Sequence, residues 1–230
     1  MTAVTASVPA YGRPFWERMW RSAGLQSAVL FAIAYFLCGS LPRMNASSDA
    51  IVSVYAQGRT GIYVGAAVGG LAVLNLAWFA AAIRAALADA GQDGWGGAVT
   101  AASAAVAAVL LLLMTIAAAV VHSAANGALV SGLNDMIWSA LVVSSFPRAM
   151  LIMATSFGFW RAGLISNALF TVAVAAVVFV LAGGTTWFDA GPWSPDGIVS
   201  ATISPIVCLV WLVAASAILL GRVPGASSGW

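Results

Sequence analysis

Residues 136–157 read "MIWSALVVSSFPRAMLIMATSF", an apolar run whose only charge, Arg148, directly follows Pro147. A helix needs about 20 residues, at about 1.5 Å each, to cross a hydrocarbon core of about 30 Å. The run meets that length. If it crosses, the chain has six spans; if it turns back as a re-entrant segment, the count drops. The cost of the arginine makes the choice hard. A charge at depth costs about 2.5–3.5 kcal/mol on insertion scales, and a proline inside a helix removes a hydrogen bond and bends it.

The rest of the chain favours crossing. Five other apolar runs are long enough to span: 24–42, 61–84, 97–121, 162–183 and 200–221. Of 230 residues, 62% are hydrophobic and 7% charged. A soluble domain carries roughly 25% charged residues, so this chain cannot cover a water-facing surface. The expectation is an all-α, polytopic membrane protein, a six-helix transmembrane bundle over 24–222. A cytoplasmic amphipathic segment, 1–23, precedes it and a short cytoplasmic tail, 223–230, follows. The run 24–42 has no small-x-small cleavage signal after it and reads as a retained span.

Charge sets the expected orientation. All nine basic residues are arginines. Lysine Schiff-base chemistry and a P-loop are therefore excluded, and the net charge of +2 is too small and scattered for a nucleic-acid surface. With the N-terminus inside, Arg13, Arg18, Arg21, Arg84, Arg161 and Arg222 fall on the inner side, and Arg43 and Arg59 on the outer. That bias predicts both termini in the cytoplasm of a bacterial inner membrane. Trp16, Trp20, Trp95 and Trp160 then form an inner belt, and Trp138, Trp187 and Trp193 an outer one.

Small residues let helices approach where apolar burial does not drive association. Gly65-x-x-x-Gly69 in the second run, and the Ala/Ser stretch 101–108 in the third, read as packing faces. A dimer seam would use the same residues. Cys38 and Cys208 lie in apolar runs with no metal-site spacing.

Candidate chemistry centres on Arg148. Ser144 and Ser145 precede it by four and three residues and share its helix face. Counted from Asp135, taken as the start of the fourth span, Arg148 lies roughly 20 Å in, past the midplane toward the cytoplasm. Pro147 leaves the carbonyl of Val143 without its helical donor. No carboxylate falls within the spans. Two readings follow. Either Arg148 snorkels along its aliphatic stem to the inner headgroups, or it faces the bundle interior as a site for an anionic or lipid-like ligand, with Asn75 and Asn167 as companions. On the outer face, Asp135, His122 and Asp189 are candidate acid–base groups, with Arg59 nearby. Asn134 and Asp135 read first as a helix cap. One histidine and no ligand-spaced acids make no metal site, and no cofactor is implied.

The segment "FLCGSLPRMNASSDAIVSVYAQGRTGIYVGAAVGGLAVLNLAWFAAAIRAAL", Phe36 to Leu87, carries a Leu41-Pro42 turn and an acidic cap at Ser48-Asp49. A short helix follows with Ile51, Val54 and Tyr55, then Tyr55-x-x-x-Arg59, and a second span closing on Trp78-Phe79. In that order these features resemble a family of short, Ala-rich, six-helix actinobacterial membrane proteins of unknown function. The resemblance covers about the first ninety residues. It implies six helices and carries no activity or catalytic residue.

Three functions remain open from sequence. They are a binding or accessory protein with membrane lipids as partners, as a homo-oligomer or part of a larger membrane complex; a small transporter or permease; and an intramembrane enzyme on a hydrophobic substrate.

Overall fold

A computed structural model of the chain describes residues 13–123 and 127–222. The tail 223–230 and the first twelve residues of the N-terminal segment lie outside them. The elements are α1 (Arg13–Arg21), α2 (Ala23–Cys38), α3 (Ser48–Gln57), α4 (Arg59–Asp89), α5 (Asp93–His122), α6 (Gly127–Val143), α7 (Ser145–Arg161), α8 (Asn167–Gly183), a π-helical turn (Val199–Ile203) and α9 (Ser204–Leu220). The described residues form helices and connections, with no strand.

Four helical stretches are long and apolar enough to cross a membrane: Arg59–Asp89, Asp93–His122, Leu129–Arg161 and Val199–Leu220. α1 and α2, bent by 48° at Ser22, make a fifth if counted together. α8 is apolar but has 17 residues, about 26 Å of helix. The helix in the fifth apolar run therefore begins at Asn167, not at 162 as expected, and falls short of the length that marks the other four. Gly163, at φ 68°, ends α7 in the left-handed region. Its N–H reaches Trp160 O, and Leu164 N reaches Phe159 O, the paired bonds of a Schellman close. Ser166 then caps α8 by accepting from Leu169 N.

The fourth span also differs from expectation. The helix begins before Asn134 and Asp135, so neither caps it. It runs on to Arg161, interrupted at Ser144, and has no bend like the one between α1 and α2. Ser144 stays in helical geometry (φ −61°, ψ −15°). Pro147, three residues on, sits in the first turn of α7, where a missing N–H is tolerated. The expected sharp kink becomes a mild interruption.

Gly65 and Gly69 are both buried inside the chain. A Cβ on Gly65 would meet Cys38 Sγ at 2.6 Å, and one on Gly69 would run into Met114 of α5. The Gly65-x-x-x-Gly69 face therefore packs α4 between α2 and α5. The largest core, with Leu76, Phe79, Ile83, Leu87, Val99 and Phe159, lies among α2, α4, α5, α7 and α9. Ile51, Tyr55, Ile62, Val120 and Val130 make a second, under α3.

Contacts fix which ends lie together. Arg21 of α1 donates to Leu219 O at the end of α9, and Arg84 approaches Asp93 at 3.8 Å. Gly158 packs on Leu87 and Trp95. One end of the bundle thus gathers Arg18, Arg21, Arg84, Arg161 and Arg222, with Trp16, Trp20, Trp95 and Trp160. Arg43 and Arg59 lie at the other, where Trp138 is buried and donates to Pro42 O.

Candidate functional site

Arg148 is 7% exposed. Its Nε donates to Ser144 O at 3.1 Å, and its Nη2 to Leu141 O and Ser145 Oγ, both at 3.1 Å. The Ser144 hydroxyl also donates to Leu141 O, at 2.5 Å. The guanidinium therefore folds back over the interruption and supplies donors to carbonyls of the last turn of α6. It is a cation at a helix C-terminus, where the dipole favours one. Ser144 and Ser145 both take part, as the spacing predicted, Ser144 chiefly through its backbone.

The expected depth needs correction. A Cβ on Gly183, at the end of α8, would lie 3.0 Å from Ser145 Oγ and 3.0 Å from Ser204 Oγ of α9. One on Gly184 would lie 3.0 Å from Phe146. Arg148 is thus one turn from the level where α8 ends, at the end away from Arg161. Thirteen residues, about 20 Å, separate it from Arg161. It does not snorkel toward that end.

Three helices meet here closely, so that a Cβ at position 183 would press on the side chains of both Ser145 and Ser204. On α7 a stripe runs Ser145, Arg148, Thr155, Ser156; on α9 a facing stripe runs Ser204, Cys208, Trp211. The Cys208 thiol lies beside the guanidinium, and Trp211 Nε1 donates to Ser156 Oγ at 3.1 Å. Two buried hydroxyls in the seam, Ser204 Oγ and Thr155 Oγ1, have no hydrogen-bond partner among the described residues. Such orphans are uncommon inside proteins and call for a reason. The π-helical turn directly precedes Ser204, and turns of this kind often mark functional sites.

Other predicted residues lie elsewhere. The Asn75 amide donates to Leu71 O of its own helix. Asn167 is exposed and accepts from Trp160 Nε1 at 2.7 Å. Neither bonds Arg148. His122 and Asp189 are exposed and Asp135 half-buried. Among the described residues no hydrogen bond or ion pair links these three with Arg59, which instead lies 5.8 Å from the Tyr63 ring. Both cysteines are free thiols. Among the described residues no group of three or more His, Cys, Asp or Glu could hold a metal.

Gly183 and Ser204 carry no sequence expectation, and Cys208 only that of a thiol in an apolar run. Ser204 and Cys208 are four apart, a face-sharing polar pair in an apolar run, and that spacing was the available signal.

A second buried polar group sits about the middle of α6, at Asn134 and Trp138. Tyr55 OH donates to Asn134 Oδ1 at 2.9 Å, and Asn134 Nδ2 donates to Arg43 O at 3.4 Å. With Trp138 on Pro42 O, these bonds clamp α3 and the Leu41-Pro42 turn to α6. Burial pushes the Tyr55 phenol well above its ordinary value.

No family model, no curated protein and no solved structure matches this chain.

Proposed function

We propose that the chain is a six-span bacterial inner-membrane protein with both termini in the cytoplasm, and that it acts as a binding or accessory protein. It holds the anionic group of a lipid-like ligand at the seam between α7, α8 and α9. The six-span reading counts α8 as a short crossing helix beside the four long ones and the α1–α2 pair. The inward orientation is supported by the arginines gathered at the α1 end.

One observation carries the functional reading. Arg148 is buried with only neutral acceptors, while Ser204 Oγ, across Gly183 from Ser145, has no partner. Carbonyls and a hydroxyl satisfy N–H groups but leave the charge. An un-neutralised cation in low dielectric attracts an anion strongly, and a phosphate oxygen at Ser204 would satisfy both groups.

A transporter is the second reading. Its support is that two helices lose regularity at one level, α6/α7 at Ser144 and α9 at its π-helical turn. Broken helices at depth are how transporters build substrate sites.

The test is thermal unfolding of the purified protein in mild detergent with phosphatidylglycerol, phosphatidylcholine or inorganic phosphate. Phosphatidylglycerol should raise the midpoint and phosphatidylcholine should not; inorganic phosphate separates a free anion from a lipid headgroup. Arg148→Gln should remove the shift with helix content unchanged. An equal shift in Arg148→Gln and native protein removes the site.

A further inference from the structure

α1 is amphipathic in the opposite sense to a helix on a soluble protein. Its charged side chains Glu17 and Arg21 turn toward the bundle. Arg21 pairs with Glu17 at 2.7 Å and donates to Leu219 O at 3.1 Å. The two residues line, with Trp20, Ala82, Ala85, Ala86 and Asp89, a cavity of about 180 Å³ between α1 and α4. Phe15 and Trp16 face away from the protein, 63% and 61% exposed, with their rings edge to face at 5.4 Å. Trp20 tethers the helix through Nε1 to Trp78 O at 2.9 Å, and Trp78 is itself exposed. Arg18 lies on the edge of the outward aromatic face, exposed and in no ion pair with the described residues.

An outward aromatic face on a helix whose half-buried ion pair turns inward belongs against an apolar medium. The 48° bend from α2 carries α1 away from the direction of the first span. Tryptophan and phenylalanine beside arginine are what the headgroup–acyl boundary selects. The neighbouring surface is also basic: Arg84, Arg161 and Arg222 are exposed at this end, against Asp89 and Asp93. We propose that α1 is an interfacial helix docked on anionic phospholipid, with Phe15 and Trp16 in the acyl boundary and Arg18 on a headgroup phosphate. The occupant is the lipid surface rather than a second copy, because the exposed basic residues beside the aromatic face would repel the same face of another chain. This inference is independent of the Arg148 seam, about one bundle length away.

The test is hydrogen exchange of the amides of residues 15–21 in the full chain. The protein is placed in nanodiscs of phosphatidylcholine alone or mixed with phosphatidylglycerol. Phosphatidylglycerol should raise protection of α1 and leave α4 unchanged, and added salt should weaken the gain. Each arginine near an anionic surface contributes about fivefold to binding. Arg18→Gln should therefore lower the gain about fivefold, and Arg18→Glu should abolish it. Trp16→Ala should lower protection in both lipids. Equal protection with and without phosphatidylglycerol overturns the proposal, as does an undiminished gain in Arg18→Glu. Protection that follows the number of chains per disc instead of the lipid also overturns it, in favour of a second copy.

Discussion

Tyr55 and Arg148 head two buried polar groups, one joining α3 to α6 and the other built on α6 and α7, and the groups are solved differently. Around Tyr55 the components are neutral and paired: phenol to Asn134 amide, amide to Arg43 carbonyl, Trp138 indole to Pro42 carbonyl. Such a network rigidifies and fixes one arrangement. Around Arg148 the guanidinium has acceptors but no counter-charge among the described residues, and the Ser204 and Thr155 hydroxyls nearby have no hydrogen-bond partner there. The first group needs nothing from outside the chain. The second is incomplete as it stands. Completeness therefore separates a structural clamp from a candidate ligand site, although both contain buried polar groups tied to helix or turn carbonyls.

Substitutions can break that contrast. The largest effect is expected at the seam. Gly183→Val places carbon where Ser145 and Ser204 already stand at 3.0 Å, at a cost of about 3 kcal/mol. Gly70→Val, which meets nothing within 4 Å, should cost less than about 1 kcal/mol. Denaturant unfolding in detergent reads both. Next comes the clamp. Tyr55→Phe leaves the buried Asn134 oxygen without its donor and should cost about 2 kcal/mol. Because the folded phenol is held above its ordinary value, the unfolded chain ionises first as the pH rises. The clamp's contribution is thus full below about pH 10 and is lost above it. The native protein should lose stability in alkali more steeply than Tyr55→Phe. The smallest effect separates the two groups most cleanly. Ser204→Ala removes a hydroxyl with no partner, so it should change stability by under about 0.5 kcal/mol or raise it. It should nonetheless weaken the phosphatidylglycerol shift. A cost at Ser204 equal to that at Tyr55 would erase the distinction.

The long apolar runs were readable because length and composition alone decide them: 61–84 and 97–121 lie within Arg59–Asp89 and Asp93–His122, and 200–221 matches Val199–Leu220 to within one residue. The short helix after Leu41-Pro42 was readable too, though Ser47, not Ser48, caps it by accepting from Ala50 N. Boundaries set by turn chemistry were less so. Gly163 and Ser166 delay α8 because a Schellman close and a new cap need residues of their own. The depth of Arg148 is not legible because Asp135 resembles a helix start in sequence while the helix extends from Gly127. At the seam, Arg148 with Ser144 and Ser145 was legible from helical spacing. Asn75 and Asn167 were chosen for polarity at depth, and their bonds go to Leu71 and Trp160 instead. The contribution of α8 and α9 depends on which turn of one helix meets which turn of another, and periodicity within a single run does not encode that register.

The most direct test is a high-resolution map of the protein purified with phosphatidylglycerol, read at the α7–α8–α9 seam. The account predicts non-protein density within about 3 Å of Ser204 Oγ on the Arg148 side, absent from the Arg148→Gln protein. A closed seam in which Ser204 donates to a protein carbonyl, with no added density, would contradict it.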